Sequence, residues 1–201
     1  MGVADPAING GLAILNAASR HGGTPLKCAI HVGSFSSTVD FELGDAPELT
    51  YGPDTWNPVT YEQAVSRDYV SGYVGSKVLV ERAMWDSMKV KRSFDLVTVL
   101  PATVFGPHIA EPDHDNLNVS SRMLWELASP SESPSPWHFY HMGAWVDVRD
   151  AAEALLRSAE VPEAGGQRFV AAQRTQWQFV RDAARYRDEL RARVDPGMPG
   201  A

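Results

Sequence analysis

The sequence predicts an α/β domain built on a parallel sheet, and two observations support that prediction. Short apolar runs that end in glycine, proline or small residues alternate with longer segments of helical periodicity. That order is typical of parallel strands joined by crossover helices. The chain has 201 residues, 44% of them hydrophobic. This is enough for one domain of ordinary size with a real core.

The first elements are a helix and a strand. The segment DPAINGGLAILNAASRHGG predicts a helix with Asp5 as its N-cap, Pro6 in the first turn and Gly22 and Gly23 as its stop. The run LKCAIHVGS follows as a short buried strand, and FDLVTVLPATVFGP predicts a second one. Both are expected to be parallel strands.

A second helix is predicted between those strands. Residues 41–72 form a polar excursion, after which YVGSKVLVERAMWDSMK has helical periodicity. We expect this helix to begin at Tyr73, with Glu81, Arg82 and Asp86 facing outward. The excursion and the helix together make the crossover from the first strand to the second.

The last third of the chain repeats the order of strand and helix. After residue 107 comes a loop rich in proline and serine, with a short helix predicted near 120–127. GAWVDVRDAAEALLRSAE then predicts a strand that leads into a helix, and GQRFVAAQ with TQWQFVRDAARYRDEL repeats the pattern. No internal repeat or low-complexity tract interrupts the series.

Composition excludes several classes of function. The net charge is −7, which argues against nucleic acid or an anionic membrane as the main partner. No apolar run approaches the ~20 residues that span a bilayer. The lone Cys28 permits neither an internal disulfide nor a cysteine-based metal site, and no zinc motif is expected from the histidines. We therefore expect a cytoplasmic location and no metal, whereas the oligomeric state is not defined.

Candidate reactive groups lie where the two predicted strands end. GSFSS (33–37) and PATVFGP (101–107) should meet at the carboxyl edge of the sheet, where open α/β folds bind ligands. Tyr73 and Lys77, four residues apart, share one face of the intervening helix. An ammonium beside a phenol favours the phenolate, so this pair could exchange a proton with a substrate oxygen. The alternative is a half-buried tyrosine with a solvated lysine neighbour.

Seven motifs in this order resemble the extended short-chain dehydrogenase/reductase family, within the NAD-dependent epimerase/dehydratase superfamily. They are DPAINGGLAILNAA, GSFSSTVDF, TWNP, YVGSK, LPATVFGP, WVDVRDAAEA and GQRFVAA. The resemblance is closest to dihydroflavonol reductase-like and fungal methylglyoxal or aldehyde reductase-like enzymes. It implies a Rossmann-type doubly wound parallel sheet, here incomplete, over residues 1–185. It also implies substrate-domain elements around 108–140 and a frayed tail at 186–201.

The resemblance implies a catalytic trio of Ser34, Tyr73 and Lys77. Tyr73 is expected to protonate the carbonyl oxygen of the substrate, Lys77 to support it, and Ser34 to polarise that oxygen. The match at the serine is shifted, because Gly33 stands where relatives have a first serine. Ser34 is therefore the first choice, and Ser36 or Ser37 could hold the role instead.

The resemblance also implies NADP(H) as cofactor and a small carbonyl compound, a ketone or aldehyde, as substrate. Pro101, Ala102 and Val104 are expected to lie against the nicotinamide, and Ser120 to make a later contact. Tyr73 and Lys77 are expected to contact the nicotinamide ribose. Asp147 and Asp150 in VDVRD are assigned structural roles, and His108, His114, His138 and His141 are expected at the surface.

One family feature is missing from these residues. No G-x-x-G-x-x-G or G-x-G-x-x-G turn follows a strand, so the pyrophosphate cradle of the cofactor is absent. We expect the 201 residues alone to bind NADPH weakly. Three interpretations stay open: a reductase by descent that lacks its first strands, a non-enzymatic remnant that binds a partner or ligand, and a nucleotide-sugar epimerase or dehydratase.

Overall fold

The computed structural model describes most of the chain as two compact units. The described residues are 3–43, 48–66, 69–90, 92–111, 113–128 and 144–173. The first unit comprises those within Met1–Pro101 and Ala152–Ala171, and the second those within Ala102–Ala151 together with Ala172 and Gln173. Each unit contains its own parallel sheet.

Helices and strands alternate along the chain as predicted. In order they are α1 (Ala4–His21), β1 (Cys28–Val32), α2 (Tyr61–Ser66), α3 (Tyr69–Ser87), β2 (Asp95–Pro101), β3 (Thr103–Phe105), α4 (Val119–Ala128), β4 (Trp145–Asp147), α5 (Val148–Glu160) and β5 (Arg168–Ala171). Every strand pairing among the described residues is parallel. No helix in the described part of the chain combines the length and apolarity needed to cross a bilayer. The predicted segment TQWQFVRDAARYRDEL lies outside the described residues, as does the tail at 186–201.

The sheet of the first unit has the order β1-β2-β5. Strand β2 pairs on both edges, and its residues from Leu96 to Leu100 are fully buried. Strand β1 pairs only with β2 among the described residues, and it is half-buried, with Val32 exposed. The prediction of a buried strand was therefore wrong for β1, because a strand paired along one edge is less enclosed.

Helices α1 and α3 pack against each other and against β2. Their shared core consists of Leu15, Val80, Met84, Phe94 and Leu96. Two glycines let the helices approach closely. A Cβ at Gly11 would lie 2.6 Å from Val80 Cγ2, and one at Gly75 would overlap the Cβ of Ala64 on α2. The small residue inside YVGSK thus allows α2 to pack closely against α3.

Three predicted boundaries were wrong. Helix α1 begins at Ala4 with Val3 as a cap that makes no side-chain hydrogen bond, so Asp5 lies in the first turn instead of capping it. Asp5 instead accepts a hydrogen bond from the Tyr61 hydroxyl, 2.9 Å away. Helix α3 begins at Tyr69, one turn before Tyr73. The predicted second strand divides at Ala102 into β2 and β3, which belong to different sheets.

The second unit is built on the β3-β4 pair. Phe105 and Met123 are buried beneath Leu124 and Trp145, which ties α4 to the sheet. Asp147 ends β4, and its carboxylate accepts hydrogen bonds from the Arg149 backbone N–H at 2.8 Å and from the Arg149 guanidinium at 2.8 and 2.6 Å. Asp147 therefore fixes the start of α5, the structural role predicted for it.

The contacts of Asp147 predict a pH effect. Hydrogen bonds from the Arg149 side chain, and then from its backbone N–H, lower the pKa of Asp147 from 3.8 to about 2. Because the folded pKa is depressed, the stabilisation is complete above the unfolded value of about 3.9 and is lost as pH falls toward 2. In a carboxyl-carbon NMR titration, Arg149→Gln should move the Asp147 pKa up toward its ordinary value. An ordinary pKa in the parent chain would contradict the assignment.

Candidate active site

The serine segment after β1 forms a 3₁₀ turn rather than an extended continuation of the strand. Ser34 has extended backbone angles and caps the turn Phe35–Ser37, with its Oγ accepting from the Ser36 N–H at 3.2 Å. The Ser36 hydroxyl also donates to Ser34 Oγ, at 2.8 Å. Ser34 and Ser36 therefore meet as predicted, but through the turn and not through the alternation of an extended chain.

These contacts leave Ser34 with a free donor. A hydroxyl has one hydrogen to donate and two lone pairs that accept. Both acceptor positions of Ser34 Oγ are used by Ser36, whereas its own O–H has no acceptor among the described residues. Ser34 is therefore prepared to donate a hydrogen bond to an incoming oxygen.

The other two serines are more enclosed. Ser36 is 2% exposed and Ser37 is fully buried, and Ser37 Oγ has no hydrogen-bond partner among the described residues. Asn57, a buried residue from a later loop, binds the turn by two hydrogen bonds. Its side-chain Nδ2 donates to the Ser36 carbonyl at 3.2 Å, and its backbone N–H donates to the Ser37 carbonyl at 2.8 Å. The turn is thus fixed by a residue 21 positions away.

Tyr73 and Lys77 lie together on α3, the helix that packs against the serine turn. Tyr73 is 38% exposed, and Lys77 Nζ lies 5.7 Å from the centre of its ring, within cation–π range. Lys77 makes no hydrogen bond or ion pair with any described residue. The phenol and the ammonium are therefore both available to a ligand.

Glu81 corrects the sequence analysis. It was predicted to face outward, yet it is 0% exposed and forms an ion pair with Arg168 of β5, with Nε to Oε1 at 2.7 Å. Arg168 is 7% exposed. Tyr73, Lys77 and Glu81 are spaced by four residues, so all three lie on one stripe of α3. The stripe reaches the protein interior at Glu81, and Arg168 neutralises the buried carboxylate there.

Arg168 also organises the loops around the site. Its guanidinium donates to the backbone carbonyls of Pro53, Thr55 and Ser37, and its Cζ lies 3.8 Å from the ring centre of Trp56. A planar guanidinium suits such a role, since it offers five N–H donors in one plane and a flat face for stacking. One side chain thereby connects the serine turn and the loop at 53–57.

His31 of β1 lies beside the same helix stripe. Burial lowers the pKa of His31, the Glu81 carboxylate raises it and the Lys77 ammonium lowers it, with burial the largest effect. Its Nε2 is buried and has no hydrogen-bond partner among the described residues. The imidazole is therefore held neutral, close enough to both charges to interact with them electrostatically.

The predicted cofactor contacts other than Tyr73 and Lys77, and the predicted surface histidines, come from the segments after β2 begins. Pro101 ends β2, and Ala102 is buried at the start of the second unit. Val104 and Ser120 both line a pocket of about 220 Å³ within the second unit. His108, exposed as predicted, lines that pocket too, with its Nε2 2.8 Å from Ser121 Oγ. His138 and His141 lie outside the described residues, as does the side chain of His114.

Four residues of this arrangement were not assigned roles in the site by sequence reasoning: His31, Asn57, Glu81 and Arg168. Only Glu81 carried a usable signal, because it follows Lys77 by one helical turn. Asn57 and Arg168 act through partners distant in sequence, which spacing alone does not show. Among the described residues no group of three His, Cys, Asp or Glu side chains could hold a metal ion.

Comparison with known proteins now identifies the class. Residues 7–172 match the NAD dependent epimerase/dehydratase family. The match covers more than half of the chain, and the chain belongs to this family. The structure superposes on the crystal structure of yeast methylglyoxal/isovaleraldehyde reductase Gre2 complexed with NADPH, with a TM-score of 0.86 and 28% identity over 100% of this chain and 61% of that one. The fold is therefore Rossmann-like, which confirms the predicted family and fold class.

Two curated relatives that are similar to this chain are also reductases. The chain is 32% identical over 170 residues to the NADPH-dependent methylglyoxal reductase GRE2 of Saccharomyces cerevisiae, covering 82% of this chain and 48% of that protein. It is 34% identical over 171 residues to the ketoreductase azaE of Aspergillus niger, covering 82% of this chain and 48% of that protein. The chain thus spans about half the length of the curated relatives it matches.

Proposed function

We propose that this chain carries the catalytic residues of an NADPH-dependent carbonyl reductase that converts a ketone or aldehyde to an alcohol. The free hydroxyl donor of Ser34 is the observation that carries the proposal. An unused hydroxyl donor on a fixed turn is what a carbonyl oxygen requires as negative charge develops on it. The exposed Tyr73 phenol with Lys77 beside it adds a proton donor and a cation.

The residues present fit the nicotinamide end of NADPH. Lys77 has no carboxylate partner among the described residues, so its three N–H donors can bind the nicotinamide ribose hydroxyls. Pro101, at the end of β2, is the proposed nicotinamide contact of the first unit. In the second unit Ala102 and Val104 are the proposed nicotinamide contacts and Ser120 a later cofactor contact, and Val104 and Ser120 line the same pocket. We assign the elements around residues 108–140 to the substrate side of the protein and place the protein in the cytoplasm, as predicted from the sequence.

The mechanism follows from these side chains. NADPH, when bound, supplies the hydride that the carbonyl carbon receives. Ser34 donates a hydrogen bond to the carbonyl oxygen, which draws electron density away from the carbon. Tyr73 gives its hydroxyl proton to the same oxygen as the alcohol forms, and the Lys77 ammonium stabilises the phenolate that is left. The phenolate is then reprotonated from solvent, since Tyr73 is partly exposed.

The test uses a chimera of the yeast enzyme. The matched segment of the Saccharomyces cerevisiae methylglyoxal reductase is replaced by this chain, and NADPH oxidation is followed with methylglyoxal and with small ketones. We expect carbonyl-dependent oxidation of NADPH by the chimera, and only weak NADPH binding by the 201 residues alone. A folded chimera that binds NADPH but does not oxidise it with any of the carbonyl compounds would overturn the proposal. That result would favour a non-enzymatic binding role.

A comparison of Ser34→Ala with Ser36→Ala tests which serine polarises the substrate. Removing the Ser34 donor should reduce kcat/KM of the chimera by about 10²–10³-fold, as loss of an oxyanion donor does. Ser36→Ala removes only one hydrogen bond that orients Ser34, so its effect should be at least tenfold smaller. Equal losses, or a larger loss for Ser36→Ala, would move the role to Ser36.

A further inference from the structure

His31 belongs to a polar row that crosses the central sheet. In the parallel register His31 of β1 pairs with Thr98 of β2, and Thr98 pairs with Arg168 of β5. Side chains that pair across neighbouring strands point to the same face of a sheet. The Arg168 side chain meets Glu81 of α3, so the row lies on the face that α3 covers. The stripe with Lys77 and Glu81 thus lies above a row of three polar side chains.

Two atoms of this row are unusual. His31 Nε2 and Thr98 Oγ1 are both buried and lack a hydrogen-bond partner among the described residues. Buried polar atoms are rarely left unpaired, because each one loses its bonds to water. Arg168 already satisfies Glu81 with hydrogen bonds of 2.7 and 3.3 Å. The two unpaired atoms therefore belong to β1 and β2, whereas the β5 member of the row is paired.

The imidazole is directed toward the carboxyl end of β1. A Cβ built on Gly33 would lie 3.5 Å from both Cδ2 and Nε2 of His31. Nε2 therefore lies beside Gly33, one residue before the serine with the free donor. The absence of a side chain at Gly33 leaves this edge of the ring uncovered by its own strand.

We infer that His31 is a positioning residue for Lys77, with its neutral imidazole presenting Nε2 as an acceptor toward the ammonium through a bridging water. The inference rests on the proposed function for the role of Lys77. The charged groups that face His31 are Lys77 and Glu81, both from α3, whereas β2 contributes the uncharged Thr98. Glu81 is committed to Arg168, so a protonated His31 would meet Lys77 as a second cation.

This arrangement makes the site sensitive to acid. Neutral His31 accepts a hydrogen bond, whereas the imidazolium can only donate and repels Lys77. Burial lowers the pKa of His31 and keeps the ring neutral around pH 7. Below that pKa, Lys77 is displaced from Tyr73 and turnover falls.

The direct test measures the titration of His31 in the 201-residue chain by NMR of its imidazole, assigned by the signal that His31→Gln removes. Lys77→Met should shift the His31 pKa upward, because one neighbouring cation is gone. Lys89→Met, at an exposed lysine beyond the end of α3, should leave it unchanged. Lys77→Gln repeats the test if the methionine variant fails to fold. No shift with a folded Lys77 variant would overturn the inference, whether or not the protein is a reductase.

A second readout uses kcat of the active chimera. The acid limb of its pH profile should follow the His31 pKa measured by NMR, and His31→Gln, which keeps a neutral polar group, should remove that limb while retaining turnover at neutral pH. An acid limb that is unchanged in His31→Gln would contradict the inference. A chimera without carbonyl reduction would refute the proposed function but leave the NMR result valid.

Discussion

Glu81→Ala is expected to destabilise the fold by about 3–5 kcal/mol, the cost of leaving one member of a buried ion pair uncompensated. The remaining Arg168 guanidinium would be 7% exposed with no carboxylate beside it. The free energy of unfolding, measured by urea denaturation of the 201-residue chain, should fall accordingly. Because both side chains are almost inaccessible to solvent, water screens the remaining charge poorly, which is why the effect is large.

Glu153→Ala is the matched control. Glu153 forms an ion pair with Arg157 of the same geometry, with Nε to Oε1 at 2.8 Å, but both side chains are more than half exposed. Such a surface pair one helical turn apart contributes only about 0.3–0.5 kcal/mol. Similar losses for Glu81→Ala and Glu153→Ala would show that Glu81 is not buried with Arg168 in solution.

Tyr73→Phe is expected to reduce kcat of the chimera by about 10²–10⁴-fold, the usual contribution of a positioned proton donor. The change removes only the hydroxyl, so the ring still lies beside the Lys77 ammonium. NADPH affinity, measured by nicotinamide fluorescence, should therefore change little. The two measurements together separate loss of proton transfer from loss of the cofactor site.

Tyr61→Phe provides the comparison for that variant. Tyr61 is also exposed and also lies on a helix, but its hydroxyl donates to Asp5 and takes no part in the proposed site. Removing this hydroxyl should leave kcat within about twofold of the parent chimera, since substitutions at surface positions outside a functional site have small effects. Tyr73→Phe with nearly full activity would place the proton donor elsewhere.

The alternation of strand and helix could be predicted from the sequence because it is encoded locally. Glycine, proline and apolar periodicity mark α1 near its observed end and both β1 and β2 near their observed positions. The division of FDLVTVLPATVFGP at Ala102 could not be predicted, because it depends on pairing of β3 with β4, 40 residues further on. The start of α3 at Tyr69 was missed because Ser71 and Gly72, which precede Tyr73, are weaker helix formers than alanine or leucine.

The candidate site, too, could be predicted only where its contacts are local in sequence. Tyr73 and Lys77 could be placed together because four residues on a helix define one face. The inward orientation of Glu81 could not, since a carboxylate becomes tolerable inside a protein only when its counter-charge is known, and Arg168 is 87 residues away. Likewise, the free donor of Ser34 depends on a 3₁₀ turn that spacing did not indicate.

The position of Arg168 along the chain also has a consequence for biosynthesis. Arg168 follows Ser37 by 131 residues and Glu81 by 87. At roughly 5–20 residues added per second, a nascent chain carries the serine turn and α3 for seconds before the ribosome produces the side chain that binds both. Until then the Glu81 carboxylate has no counter-charge and must stay in water, so α3 cannot dock in its final position. The proposed catalytic groups are therefore translated early but assembled late, after β5 has emerged.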